Sequence, residues 1–312
     1  MGNGTSPQTI RTIAMVGAGT MGTHISAAAA AAGFDTRLYD LVPAQLDRSI
    51  EQIDTTILPA IVNSGQLPAP TSVMEARARL TVVHSLEQAV QGADWVIEAI
   101  KEDLGVKLEM FAQLNRVAAP TTILSTNSSS LPSRPLADVV DHPERLLNTH
   151  FFAPIWVRSM VELMTCGSTS DETFDAVAAA CEAMGLVVAR VQGESKGFII
   201  NRIWRAIKRE SLRVVDEGHG TPEDVDRLFR LFFTAESAPF STMDLVGLDV
   251  VADIEKTYHA VATDPADVPI KTLTDKVAAG ELGQKTGEGF YTYPNPAYED
   301  PDFLKPKPAK DS

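Results

Sequence analysis

Proton transfer near neutral pH suits an imidazole held by a carboxylate, and one pair of residues in this chain has the spacing for it. His150 stands among Phe151, Phe152 and Pro154, and Glu162 follows twelve residues later, beyond a Pro-containing turn. If two strands face each other across that turn, the carboxylate can hold one ring nitrogen and stabilise the imidazolium. The same spacing equally suits a buried histidine whose polar atoms are merely satisfied. Asn127-Ser128-Ser129-Ser130 ends another apolar run. There the hydroxyls could reach a ligand oxygen or could equally cap the next turn. Asn201, one turn into a helical stretch, could donate to a carbonyl oxygen. A mid-helix Asn is otherwise more often a surface residue. His24, His84, His142, His219 and His259 have no acid at a suggestive spacing and read as surface or packing residues.

The element that would set the chemistry beside His150 lies near the N-terminus. Ile13-Ala14-Met15-Val16 runs into Gly17-Ala18-Gly19-Thr20-Met21-Gly22, and an Ala-rich helical stretch continues to Ala32 and stops at Gly33. This is strand, tight turn and helix with the G-x-G-x-x-G spacing. The first Gly turns the chain, the second lets backbone approach a pyrophosphate, and the third lets helix and strand pack closely. A second strand, Thr36-Arg37-Leu38-Tyr39, ends at Asp40, where an acid binds a ribose 2'-hydroxyl. Asp40 would repel a 2'-phosphate, and Leu41, Val42 and Pro43 supply no replacement cation, so NAD is the expected cofactor. Beside a nicotinamide, His150 would take or give a hydroxyl proton as hydride moves.

Further along, Pro43 to Asn63 has helical spacing of Leu46, Ile50, Ile53, Ile57 and Ile61, and Ser64 to Ser72 reads as a loop. Strands are expected at Leu80–Val83, Trp95–Ile100, Thr121–Ser125, Leu146–Phe152, Met160–Met164 and Leu186–Val191, with helices at Ser85–Val90, Glu102–Ala118 and Asp171–Met184. This alternation predicts an α/β, Rossmann-type doubly wound, mostly parallel sheet over residues 10–193. Ligands on such sheets bind beyond the carboxyl ends of the strands, where Gly17, Asp40, Glu102 and Asn127 to Ser130 all fall. From Phe198 onward only helices are expected, including one started by Thr221-Pro222, so residues 194–303 form a smaller all-α domain. Residues 1–9 and 304–312 read as flexible tails.

Composition narrows the partners. A net charge of -14 argues against nucleic acid and anionic membrane surfaces. Cys166 and Cys181 are the two cysteines and form no C-x-x-C pair, so no metal site or disulfide framework is expected and a cytoplasmic location fits. Met1 to Ser6 matches a myristoylation pattern without a basic patch, and no apolar run is long enough to span a membrane.

Six ordered motifs resemble the L-3-hydroxyacyl-CoA dehydrogenase family: Ser125-Thr126-Asn127-Ser128-Ser129-Ser130-Leu131, His150-Phe151-Phe152, Val161-Glu162, Gly197-Phe198-Ile199-Ile200-Asn201-Arg202, Asp244-Leu245-Val246-Gly247-Leu248-Asp249 and Lys285-Thr286-Gly287-Glu288-Gly289-Phe290. The resemblance runs from about Thr12 to Tyr293. It implies reversible, NAD-dependent oxidation of a 3-hydroxyacyl substrate to its 3-oxo form, by default a CoA thioester. The general base matches His150, its orienting acid Glu162, and the groups on the substrate oxygen Ser129 and Asn201. Cofactor contacts match Gly17, Gly19, Thr20, Met21, Gly22, Asp40, Glu102, Lys107, Asn127 and Lys285. The family also implies a homodimer through the helical domain.

Some positions depart from the family pattern. Ala153 replaces an Asn, Trp156 and Arg158 replace small or apolar residues beside the histidine strand, Lys196 stands where Pro is usual, and Ala238 replaces a Gly. The helix from Pro43 offers only Arg48 as a cation for CoA phosphates. A free 3-hydroxy acid, as in gulonate and carnitine dehydrogenases, is therefore the alternative substrate, with Arg158, Lys196 or Arg202 available for its carboxylate.

Overall fold

A computed structural model describes residues 9–67, 71–260, 262 and 267–305. The two expected tails lie outside these residues except for Thr9, Leu304 and Lys305. The chain divides into two compact units, one up to Ile199 and one from Ile200.

The first unit opens with β1 (Thr12–Val16), α1 (Thr20–Ala31) and β2 (Asp35–Tyr39). Next come α2 (Pro43–Gln52), a π-helical turn (Ile53–Ile57) and α3 (Leu58–Asn63). The single helix expected from Pro43 to Asn63 is thus interrupted. Pro59 has no N–H and its ring crowds the carbonyl four residues back, and the chain widens just before it. The apolar stripe survives: Leu46, Ile53, Ile57 and Ile61 are all buried. α4 (Val73–Ala78) was not expected, although Ser72 and Glu75 form a reciprocal capping box at its start.

β3 (Leu80–Val82), α5 (Leu86–Val90), β4 (Trp95–Glu98), α6 (Leu104–Val117) and β5 (Ile123–Thr126) continue the alternation. β6 (Leu146–Phe151), β7 (Met160–Thr165), α7 (Asp171–Ala183) and β8 (Val187–Arg190) complete the unit. The sheet order is β3-β2-β1-β4-β5-β6-β7-β8, with β6 and β7 antiparallel and the other neighbours parallel. Every residue of β4, β5 and β6 is buried, as expected for strands covered on both faces. One core cluster gathers the α1 alanines with Ile13, Met15 and Ile97, and another gathers Ala14, Val16, Val96, Phe111 and Leu114.

Among its described residues, the second unit is helical apart from two isolated bridges, Gly283 with Glu288 and Glu288 with Thr292. Its helices are α8 (Ile200–Asp216), α9 (Pro222–Phe233), α10 (Pro239–Val246), α11 (Leu248–His259) and α12 (Lys271–Ala278). Leu212, Phe240, Met243, Leu248, Val251 and Leu273 form its core. Two motifs noted in the sequence meet here. Asp244 accepts from the backbone N–H groups of Phe290 and Tyr291, and a Cβ at Gly289 would lie 2.4 Å from its Oδ1, so only glycine fits. No helix among the described residues is long and apolar enough to cross a membrane.

Candidate active site

A cleft of about 790 Å³ opens in the first unit at the carboxyl ends of its strands. Gly17, Gly19, Thr20, Met21, Asp40, Glu102, Lys107, Asn127, Ser129 and His150 all line it. Gly22 lies behind this wall, where a Cβ would come within 1.8 Å of the Gly17 carbonyl oxygen. Gly17 itself has φ of 107° and would press a Cβ to 2.5 Å from Ala99 O. A Cβ on Gly19 would meet nothing within 4 Å, so at that position the glycine keeps free space at the N-terminus of α1. That space and the free helix end fit a pyrophosphate.

Asp40 fits the ribose beside it. Its Oδ2 accepts from Ala18 N at 2.7 Å and its Oδ1 from Val42 N at 2.8 Å. Each oxygen keeps a second lone pair for a hydroxyl. Arg37, the nearest preceding cation in the chain, bonds to the carbonyl oxygens of Gln88, Ala89 and Gln91 at the end of α5, so it is engaged elsewhere. Leu41, Ile100, Val106 and Met110 add apolar wall to the cleft. Gln45, missed in the sequence, lines it too and donates to Ala18 O at 2.7 Å, bracing the Gly-rich turn.

The histidine and its acid come together as the two-strand expectation required. His150 of β6 and Glu162 of β7 are register partners, and Nδ1 lies 2.9 Å from Glu162 Oε2. Both side chains are buried. The other carboxylate oxygen, Oε1, accepts from Ile199 N at 2.8 Å. That N–H is aimed by a tight turn in which Gly197 and Phe198 both have positive φ, 79° and 54°. A bulky residue in this region is strained. Here the Phe198 ring packs 4.8 Å from the His150 ring, and Phe152 lies 4.2 Å away on centroids.

Behind the loop that carries Ser129 sits a buried charge that the sequence reading passed over. Glu98 ends the apolar run of β4, fully buried, and pairs with the equally enclosed Lys107 at 2.7 Å. Lys107 also reaches Glu102 at 3.4 Å. Burial pushes the Glu102 carboxyl up, but the Ser128 hydroxyl, the Lys107 charge and Ser130 outweigh it and hold it below its usual value. The available signal was a lone acid closing a buried strand at the ligand end of the sheet. Asn127 Oδ1 accepts from Phe151 N at 2.9 Å and so ties this loop to the histidine strand.

Arg158 is exposed and donates to the carbonyl of Ala153, a cleft residue. Trp156 stacks on His24 with centroids 5.1 Å apart, and Gln66 donates to its carbonyl. Lys196 precedes the Gly197 turn. Asn201, Arg202 and Lys285 belong to the second unit, where Lys285 Nζ contacts Asp249 at 2.5 and 2.6 Å. Two of the histidines read as surface or packing residues are exposed and touch nearby acids: His142 lies 3.1 Å from Glu144 and His219 lies 3.5 Å from Glu217. Each acid is only two residues away, a separation that turns bring together. Among the described residues, no group of three or more side chains is arranged to hold a metal ion.

Comparison with known proteins agrees with the cleft. Residues 12–195 match the family described as 3-hydroxyacyl-CoA dehydrogenase, NAD binding domain, and residues 197–293 match its C-terminal domain. The chain is similar to a probable 3-hydroxybutyryl-CoA dehydrogenase of Bacillus subtilis, 36% identical over 284 residues, 91% of this chain and 98% of that one. Among solved structures it is similar to the (S)-3-hydroxybutyryl-CoA dehydrogenase from Ralstonia eutropha, with TM-score 0.84, 31% identity, and 92% and 100% of the two chains covered. It is also similar to a diketoreductase acting on dicarbonyl compounds, with TM-score 0.80, 27% identity and the same coverage. The chain belongs to the 3-hydroxyacyl-CoA dehydrogenase family and is an NAD-dependent oxidoreductase.

Proposed function

We propose that this enzyme interconverts a 3-hydroxyacyl-CoA thioester and its 3-oxo form, with His150 as general base and Glu162 as the acid that orients it. The observation that carries the reading is the buried contact of 2.9 Å between His150 Nδ1 and Glu162 Oε2 in a strand that lines the cleft. With the anionic carboxylate accepting Nδ1–H, the bare Nε2 faces the task of taking the 3-hydroxyl proton. NAD, when bound, accepts the hydride that leaves C3. Glu162 then stabilises the imidazolium, and Ile199 N keeps the carboxylate from turning away. Ser129 donates to the substrate oxygen from the cleft wall, and Asn201 is the second donor this reading assigns. Of the cofactor residues, Asp40 holds ribose, Gly17 to Met21 receive the pyrophosphate, and Glu102, Lys107, Asn127 and Lys285 complete the set.

A free 3-hydroxy acid is the second reading. In its favour, the stretch from Pro43 to Asn63 has Arg48 as its only cation, and that guanidinium is bonded to Gln45 at 2.6 Å. Arg158, beside the Ala153 carbonyl, would then meet the carboxylate, with Lys196 or Arg202 as further cations. For the assembly we propose a homodimer through the helical unit, where Leu228, Phe232 and Phe233 of α9 are exposed. The two free cysteines suit the cytoplasm.

Initial rates of NADH oxidation with acetoacetyl-CoA and with free acetoacetate separate the two substrates, with His150→Ala as control. Fast turnover of the thioester alone is expected. Turnover of the free acid alone overturns that choice in favour of the second reading, and an undiminished rate in His150→Ala removes the histidine from the mechanism.

A further inference from the structure

Glu98 takes no part in the reaction above, yet its carboxylate is fully enclosed, at 0% exposure. It ends β4 in register with Val16 on one side and Thr126 on the other. Its Oε1 accepts from Lys107 Nζ and from Ile100 N, both at 2.7 Å, and its Oε2 accepts from Thr126 Oγ1 at 2.7 Å. A buried ion pair is weak ground for stability, because desolvating two charges offsets their attraction and well-packed apolar residues often do as well. What distinguishes this pair is where its hydrogen bonds lead.

Two chains of contacts run from Glu98 to the loop of Ser129. In the first, Ser128 N donates to Thr126 Oγ1 at 3.2 Å, and that hydroxyl donates to Glu98. In the second, Lys107 bridges Glu98 to Glu102, whose Oε1 accepts from the Ser128 hydroxyl and from Ser130 N and Oγ at 3.1 and 2.8 Å. Ser129 is therefore flanked on both sides by residues tied to one buried carboxylate. A third tie runs through the backbone, where Asn127 N donates to Glu98 O at 2.7 Å while Asn127 Oδ1 accepts from Phe151 N, the residue after His150. The cleft wall that carries Ser129 is thus referenced to the strand that carries His150.

We propose that Glu98 is a positioning residue for the dehydrogenase reaction: through Thr126 on one path, and Lys107 and Glu102 on the other, it fixes where the Ser129 hydroxyl sits relative to His150. The inference rests on the reading that Ser129 binds the substrate oxygen.

The test is a double-mutant cycle on the full chain with Glu98→Gln, Ser129→Ala and the pair combined, measuring kcat, KM for the 3-oxo substrate, NADH affinity and Tm for each. Glu98→Gln should lower kcat by on the order of ten- to a hundredfold, the scale of misplacing a positioned group by about 1 Å, and NADH affinity is read separately because Lys107 and Glu102 also belong to the cofactor set. In the Ser129→Ala background most of that loss should disappear, because the group being positioned is gone. A merely structural Glu98 would lower Tm and leave kcat per folded site intact, which overturns the proposal. Loss factors that multiply in the double variant overturn it too, since Glu98 would then act by another route. If Ser129→Ala alone costs nothing, the role of Ser129 fails and takes this inference with it, an outcome distinct from a Ser129 effect to which Glu98 is uncoupled. Should Glu98→Gln fail to fold, Thr126→Val, which leaves the ion pair in place and cuts the first path, enters the cycle with the same expectations.

Discussion

Two histidine–carboxylate pairs in the first unit have nearly the same length, 2.9 Å for His150 with Glu162 and 3.1 Å for His142 with Glu144, and little else in common. The first pair is 6% and 5% exposed at its side chains and the second 49% and 47%. The first is set by strand register and closed by a third group, Ile199 N. The second lies at a short 3-10 turn, Pro143–Arg145, with Arg145 3.9 Å from the same carboxylate. Water competes with an exposed pair and salt screens it, whereas an enclosed pair is strengthened by low dielectric and held by its neighbours. Distance alone does not separate the two pairs; enclosure and an oriented partner do. His24 adds a third environment, half-buried against Trp156 with its enclosed Nδ1 making no hydrogen bond.

The largest break comes from removing the enclosed imidazole. His150→Ala should lower kcat by roughly 10²–10⁴-fold, the range over which a positioned acid–base group contributes, with NADH affinity retained. Stopped-flow binding and steady-state rates measured on one preparation check both halves. Glu162→Gln should cost less, on the order of 10–10³-fold, because the ring survives but loses the charge that favours its protonated form. If Glu162→Gln keeps full activity, enclosure alone suffices and the orienting carboxylate is not needed.

The histidine pair and the cofactor turn were both legible from residue spacing. A strand, a Gly-rich turn, an Ala-rich helix and Asp40 occur in sequence order, and twelve residues with a Pro turn between is a hairpin-scale separation. Glu98 was not legible, because the expected strand ran on from Trp95 to Ile100 and took the acid as one of its interior residues, and the Lys107 that neutralises it sits nine residues on across a loop. Helix α4 was missed although its Ser72 and Glu75 cap was in plain view, since the surrounding stretch has too little apolar period to announce a helix. In the second unit the Asp244 and Gly289 motifs could be matched by resemblance, but that the carboxylate caps the glycine-rich turn follows only from their contact in space. The acids of His142 and His219 were not counted because a separation of two residues puts side chains on different faces of a helix and becomes a close contact here only through a turn.

His24 gives a smaller effect, read in stability rather than rate. Burial lowers its pKa below the ordinary 6.5, so the folded state favours the neutral ring. Above pH 6.5 both states are neutral and nothing is lost. As pH falls below 6.5 the unfolded chain takes up a proton that the folded chain resists, so stability drops until the folded pKa is passed. His24→Phe keeps the stack on Trp156 and removes the titration. The Tm difference between wild type and variant should be constant above that pH and shift against wild type below it. Parallel Tm curves from pH 5 to 8 would show that the ring is solvated despite its packing.

The smallest expected effect is the control for the whole comparison. His142→Ala removes a contact as short as many reactive ones, yet its stability change should stay within about 0.5 kcal/mol, as for surface substitutions away from special features. Its kcat should stay within about twofold of wild type, because neither His142 nor Glu144 lines the cleft. Raising ionic strength should leave the variant and wild type indistinguishable, since the lost Coulomb attraction is screened in both. A tenfold fall in kcat would mean that an exposed, water-competed pair can govern the reaction, and the case for His150 would then rest on its place in the cleft alone.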